Sequence, residues 1–175
     1  MKRFLIVVDM QKDFVDGALG SKEAVKIVPA AVQKIKNFEG EIIVTYDTHF
    51  DNYMDTAEGK KLPVPHCVKG TAGWELNAEI AEALAGKPVT AVEKITFGSV
   101  QLPGLLKEKA KGEDFCVELL GLCTDICVVT NALLIKANFP EAPIAVDASC
   151  CAGVTPEKHE AALETLRSCQ IDVKE

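Results

Sequence analysis

The sequence is poor in several things at once. Aromatic residues make up 6% of the 175 positions, with one Trp and two Tyr. The net charge is −7, with 19 Lys and Arg against 26 Asp and Glu, which argues against nucleic acid or an anionic membrane as the main partner. No apolar run approaches the ~20 residues of a membrane helix. The opening stretch Met1-Lys2-Arg3-Phe4-Leu5-Ile6-Val7-Val8-Asp9 is too short for a signal peptide, ends on an acid and lacks a small-residue cleavage site. There is no internal repeat and no low-complexity tract. There are only three histidines, so two in one loop attract notice.

Cysteine is not scarce. The seven stand at 67, 116, 123, 127, 150, 151 and 169; the number is odd and several lie in apolar runs. A reduced, cytoplasmic setting is expected rather than a disulfide framework. Cys123 and Cys127 have no second pair to complete a structural zinc site. Cys150 and Cys151 read as small core residues, and His159 as a solvated or capping residue of the last helix. The length suits one domain spanning 1–175. An oligomer of identical chains is compatible with this sequence, which does not separate an exposed apolar helix face from core.

Strand and helix patterns alternate along the chain. Strands are expected at Phe4–Asp9, Glu41–Tyr46, Val89–Glu93, Phe115–Leu120, Ile144–Val146 and Ile171–Val173. Helices are expected at Ser21–Phe38, with a break or start near Pro29, and at Trp74–Ala85, Leu102–Lys111, Thr124 to about Ala137, and Pro156–Cys169. Between Asp47 and Gly73 lies one long loop rich in Gly, Pro, Asp and His, of a length that is usually functional. The alternation predicts an α/β fold: a three-layer α/β/α arrangement around a mainly parallel sheet of roughly six strands.

In such sheets ligands bind beyond the carboxyl ends of the strands. The first strand ends in Asp9, the second in Asp47 with His49 close behind, the third in Glu93-Lys94, and the fourth leads to Cys127. With Thr124 or Asp125 as N-cap, Cys127 falls in the first helical turn, where unpaired amides and the helix dipole favour thiolate. That segment alone reads equally well as a nucleophile or as a core cysteine. Converging with Asp9 as base and Lys94 as an electrostatic clamp, it makes a workable nucleophilic site. Backbone N–H groups of Cys123 and Cys127 are available as an oxyanion hole. Asp47, His49 and His66 suit one divalent ion (zinc, iron or manganese), with Asp55 and Glu58 both open as a fourth ligand.

The segments Asp9-Met10-Gln11-Lys12-Asp13-Phe14, Asp47-Thr48-His49, Pro65-His66-Cys67-Val68-Lys69-Gly70-Thr71-Ala72-Gly73, Glu93-Lys94 and Gly121-Leu122-Cys123-Thr124-Asp125-Ile126-Cys127-Val128 occur in one order over most of the chain. As a set they resemble the isochorismatase-like cysteine hydrolases, and within them the nicotinamidase (pyrazinamidase) branch. The resemblance implies a triad of Asp9, Lys94 and Cys127, and a cis peptide at Leu122–Cys123 that aims the Cys123 and Cys127 amides at the oxyanion. It also implies a metal on Asp47, His49 and His66, with Asp55 matching a further ligand by spacing, and Phe14 packed against a substrate ring. Pro63 stands where the branch often has an aromatic residue, and Ile95-Thr96-Phe97-Gly98-Ser99 replaces its usual run after the lysine, which leaves Phe97 to supply the missing ring wall. The implied activity is hydrolysis of nicotinamide, a small-molecule amide, through a cysteine thioester. The alternatives are a sister hydrolase acting on another small amide or ureido acid, and a non-catalytic metabolite-binding member.

Overall fold

The computed structural model describes residues 1–175. Six strands form one sheet: β1 (Lys2–Val8), β2 (Glu41–Asp47), β3 (Val89–Lys94), β4 (Phe115–Leu122), β5 (Ile144–Ala152) and β6 (Asp172–Lys174). All five pairings are parallel, in the order β3-β2-β1-β4-β5-β6. β1 and β4 are nearly continuous apolar runs because both of their faces are covered. The chain winds outward from β1 to β3, then returns to the other side of β1 to begin β4. The topological switch therefore lies between β1 and β4, where α/β sheets bind their ligands.

The helices are α1 (Lys12–Val15), α2 (Lys22–Asn37), α3 (Ala57–Lys61), α4 (Ala78–Leu84), α5 (Leu102–Ala110), α6 (Val129–Asn138) and α7 (Pro156–Ser168). α2 packs on β4, β5 and α4, while α6 packs against both α5 and α7 in the second helical layer. Ser21 caps α2 by accepting from the Ala24 amide, and Thr155 caps α7 by accepting from the Lys158 amide. No helix is long and apolar enough to cross a membrane. All seven cysteines are free thiols; Cys150 and Cys151 are buried in β5.

Four expectations need correction. α2 runs through Pro29 without a break: Pro29 and Val25, whose carbonyl loses its helical donor, both lie on the exposed side. Trp74 does not start a long helix but ends a single 3-10 turn, and α4 begins only after the Asn77 cap. β5 is nine residues long rather than three, with a register irregularity against β4 that absorbs its polar centre. The long loop is not structureless, since it carries a 3-10 turn (Tyr53–Asp55) and α3.

Candidate active site

Asp9, Asp47, Lys94 and Cys127 hang from the carboxyl ends of four adjacent strands, and the strand order alone brings them together. Asp9 leaves β1 with a left-handed backbone (φ 47°), a conformation Asp tolerates better than most residues. Thr45 holds it there: its carbonyl and hydroxyl both accept from the Asp9 amide, and its hydroxyl donates to Asp9 Oδ1 at 2.6 Å. The other oxygen, Oδ2, sits 2.6 Å from Lys94 Nζ in a buried ion pair. Lys94 Nζ also reaches Cys127 Sγ at 3.5 Å and Asp47 Oδ1 at 3.4 Å. One ammonium thus touches all three.

Beyond β4 the chain crosses a cis Leu122–Cys123 peptide and enters a wide π-type turn, Thr124–Val128, before α6. The Cys123 carbonyl accepts from the Ile126 and Val128 amides, both at 3.1 Å, passing over the Cys127 amide between them. Gly121 allows this approach, because its backbone (φ +123°) lies against the Val8 carbonyl where any Cβ would collide. The cap differs from expectation. Cys123 occupies the N-cap position, while Thr124 and Asp125 turn away to bond His159 Nδ1 (2.7 Å) and the Val154 amide (2.9 Å). His159 is therefore half-buried against the nucleophile turn, not a solvated residue of a distant helix.

The electrostatics also correct one expectation. Burial, with the Asp9 carboxylate next, pushes the Cys127 thiol well above its ordinary value, and Lys94 only partly offsets this. Burial thus favours the thiol form of Cys127 over the dipole-stabilised thiolate expected from its place in the turn. Burial also raises Asp9, against the opposing pull of Lys94. A carboxylate of raised basicity beside a thiol is the arrangement that proton transfer between them requires. Burial alone would lower Lys94, but Asp9, Cys127 and Asp47 outweigh it and keep the ammonium charged. Burial pushes Cys123 up to about 12 with no cation to offset it, which separates it from Cys127 as a nucleophile.

A second cluster adjoins the first. Ligand atoms of Asp47, His49, Glu58 and His66 all lie within 4.8 Å of one another. Asp47 Oδ2 is 3.0 Å from His49 Nε2 and 3.4 Å from His66 Nε2, and Glu58 Oε1 is 3.6 Å from each ring. His66 Nδ1 donates to the Val64 carbonyl at 2.8 Å, which turns Nε2 inward. Two imidazoles and two carboxylates around one point fit a borderline divalent ion by donor chemistry and spacing. Asp55 is not among them. It lies exposed in the 3-10 turn, whereas Thr56 caps α3 and places Glu58 in that helix's first turn, facing the histidines.

Two residues with no role in the sequence reading hold this cluster. Gln11, fully buried, donates to the Asp47 carbonyl and accepts from the Asp47 amide, both at 2.8 Å, fixing that main chain as a neighbouring strand would. Asp13 accepts from the Cys67 amide at 2.8 Å and packs on Gly73, where a Cβ would meet its carboxylate. Its only advance signal was its place in the Asp9–Phe14 segment.

A cavity of about 700 Å³ opens over both clusters, lined by Cys127, Cys123, Asp47, His49, Glu58 and His66 on its polar side. Phe14, buried with its ring 5.4 Å from that of His66, and Phe97 form parts of its apolar wall. This is the form of a small-molecule site, apolar with a few convergent polar groups.

The chain is similar to known proteins over nearly its whole length. The family model described as the isochorismatase domain matches residues 3–174. The nicotinamidase/pyrazinamidase of Mycobacterium tuberculosis is 29% identical, over 98% of this chain and 97% of its own. The crystal structure of the nicotinamidase PncA from Bacillus subtilis superposes with a TM-score of 0.85 at 29% identity, covering 100% of both chains. The pyrazinamidase of Pyrococcus horikoshii, solved in complex with zinc, gives a TM-score of 0.82 at 26% identity, over 99% of this chain and 98% of that one.

Proposed function

The chain belongs to the isochorismatase family, and we propose that it is a metal-containing cysteine amidohydrolase converting nicotinamide and water to nicotinate and ammonia. The observation that carries this reading is the Lys94 ammonium touching Asp9, Cys127 and Asp47 together, which joins the proposed nucleophile, base and metal ligand at one edge of the sheet beneath the cavity. The relatives named nicotinamidase, alike over nearly the whole chain, support the substrate.

In this reading Asp9 takes the proton from Cys127 Sγ, and the sulfur attacks the amide carbon. Charge moves to the amide oxygen, where the Cys123 and Cys127 amides receive it. Asp9 returns the proton to the nitrogen, the C–N bond breaks, and ammonia leaves a thioester on Cys127. Asp9 then takes a proton from water as its oxygen attacks the thioester carbon; the C–S bond breaks, nicotinate departs, and the proton returns to Cys127. Lys94 remains charged throughout, offsetting the anion formed on Asp9 or sulfur. Phe14 and Phe97 flank the ring. A divalent ion held by Asp47, His49, Glu58 and His66 would supply a Lewis acid for the pyridine nitrogen. We assign zinc, which suits two imidazoles with two carboxylates and occurs in the Pyrococcus horikoshii relative. The seven free thiols support a reduced, cytoplasmic setting.

The test is release of ammonia and nicotinate in equal amounts from nicotinamide by the purified protein, with metal content measured in the same sample. A folded, zinc-loaded protein that releases neither would overturn the assignment.

A further inference from the structure

The cavity is larger than a single-ring carboxamide requires. About 700 Å³ falls in the range of sites that enclose drug-sized ligands. Its polarity is also graded. The floor consists of buried polar groups: Asp47, His49, His66 and Cys127. The outer wall is apolar and open, with Leu62 38%, Phe97 46%, Phe50 51% and Ile95 70% exposed. Such large apolar side chains, grouped around one opening, are more than isolated surface residues.

A nicotinamide on this floor has a fixed orientation. In the proposed reaction its carboxamide is placed at Cys127 and its ring nitrogen toward Asp47, His49 and His66, and Lys94 Nζ lies between these two anchors, 3.5 Å from Cys127 Sγ and 3.4 Å from Asp47 Oδ1. The ring carbon between those anchors, C2, then faces the buried ammonium. The opposite carbon, C5, faces the open apolar wall.

The geometry points to an outer apolar subsite, formed by Phe50, Leu62 and Ile95, that takes an alkyl substituent at C5 of a pyridine-3-carboxamide. The substrate class is thus 5-alkylated nicotinamides as well as nicotinamide itself. This inference rests on the nicotinamidase reading and adds to it. Phe50, Leu62 and Ile95 stand at the mouth, not on the floor, so their contribution is confined to the substituent. Position 2 offers no equivalent space, because a group there would be driven onto Lys94.

Two measurements test it with nicotinamide, 5-propylnicotinamide and 2-propylnicotinamide: kcat/KM for the zinc-loaded enzyme, and calorimetric binding to the Cys127→Ala protein. The 5-propyl compound is expected to bind about tenfold more tightly than nicotinamide, since much of a three-carbon chain leaves water. The 2-propyl isomer is expected to lose on the order of 100-fold or more. Replacing both rim residues, Phe50→Ala with Ile95→Ser, should remove the propyl advantage and leave kcat/KM for nicotinamide unchanged. Weaker binding of the 5-propyl compound than of nicotinamide, or an advantage that survives the rim substitutions, would overturn the subsite. Failure of nicotinamide itself to bind and turn over would instead overturn the nicotinamidase reading, and the subsite with it. Because the rim side chains are exposed, both substitutions leave the core intact, and an unchanged circular dichroism melt verifies this.

Discussion

The molecule buries ionic groups in two places, and the two are built differently. At the carboxyl edge of the sheet, Asp9 and Asp47 share the single ammonium of Lys94 beneath a cavity. Under α2, Glu118 of β4 and Asp147 of β5 meet Lys34, and Glu118 also meets Lys174 at 3.0 Å. Here two carboxylates are matched by two ammonium groups, Ser149 donates to Asp147 at 2.6 Å, and none of these residues lines the cavity. The balanced set stabilises its charges. Against the penalty of burial, hydrogen bonds from Ser149 and Lys34 hold Asp147 below its ordinary value, and Glu118 and Asp147 raise Lys34. At the cavity edge burial raises both Asp9 and Cys127 and Lys94 only partly offsets it, while, against burial, hydrogen bonds from His49 and His66 hold Asp47 low. Buried charge alone does not mark a reactive site; an excess of one sign facing a cavity does.

The contrast should be sharpest at Cys127. Cys127→Ala removes the proposed nucleophile and is expected to lower kcat for ammonia release by on the order of 10⁴–10⁶-fold, the scale of losing a catalytic nucleophile. Its urea midpoint should stay close to that of the parent, since one sulfur is lost from a small side chain. Turnover that persists in this variant would sink the thioester mechanism.

The second cluster should respond in the opposite sense. Lys34→Met removes the cation shared by Glu118 and Asp147, and is expected to cost about 2–3 kcal/mol in urea unfolding, the lower side of a buried pair because Lys34 keeps some exposure. Activity per folded molecule should not change. The pH dependence follows from the signs. Asp147 is lowered in the folded state, so its contribution is present above its ordinary 3.8 and is lost as pH falls through the folded value. Lys34 is raised, so its contribution is present below 10.5 and is lost as pH rises through the folded value. Lys34→Met should therefore flatten the acid limb of the stability curve; an acid limb unchanged from the parent would deny this cluster its structural role.

A finer distinction lies within the reactive edge. Glu58→Gln should weaken zinc binding by at least the ~10–100-fold that loss of an outer-shell partner costs, read by competition with a chromophoric chelator. Asp55→Asn should leave it unchanged, because that side chain lies outside the donor group. Dialysis against chelator should abolish ammonia release and added zinc should restore it. Equal effects of Glu58→Gln and Asp55→Asn would return the fourth ligand to an open choice.

The same pair of acids shows what the sequence could carry. Asp9, Asp47, Lys94 and Cys127 were legible because each ends or follows a strand, and parallel strands deliver their ends to one edge whatever lies between. The ligands on the loop obey no such rule. Asp55 and Glu58 are three residues apart, and only the conformation of that segment chooses between them. A signal was present: Thr56 caps α3 by accepting from the Gly59 amide, and a helix starting there turns Glu58 inward. Gln11 gave no comparable signal, since its partner Asp47 lies 36 positions away and amide side chains pair with any main chain that folds against them. Glu118 is an acid in an otherwise apolar strand, but Lys34, which meets it, becomes a neighbour only after α2 docks. Strand ends are local facts; pairings across layers are not.

His159 belongs to the second kind and offers the smallest effect. It touches neither the cavity nor the reacting atoms, yet its Nδ1 bonds the hydroxyl of fully buried Thr124 at the entrance to the nucleophile turn. Asp125, accepting from the Val154 amide, ties the same turn to the loop before α7. The turn is wide and lacks a side-chain cap, so these two bonds, one to α7 and one to the loop before it, replace the local capping that Thr124 would otherwise have supplied. Removing one neutral hydrogen bond costs about 0.5–1.5 kcal/mol. If that bond only supports the fold, His159→Ala lowers the melting temperature and nothing else. If it positions Cys127, kcat falls by about two- to tenfold with KM nearly constant, and alkylation of Cys127 by iodoacetamide slows in proportion. His159→Asn, which keeps a side-chain hydrogen-bonding group beside Thr124, should recover most of both. The second outcome is expected here, because the bond ends on the residue that begins the turn carrying the nucleophile.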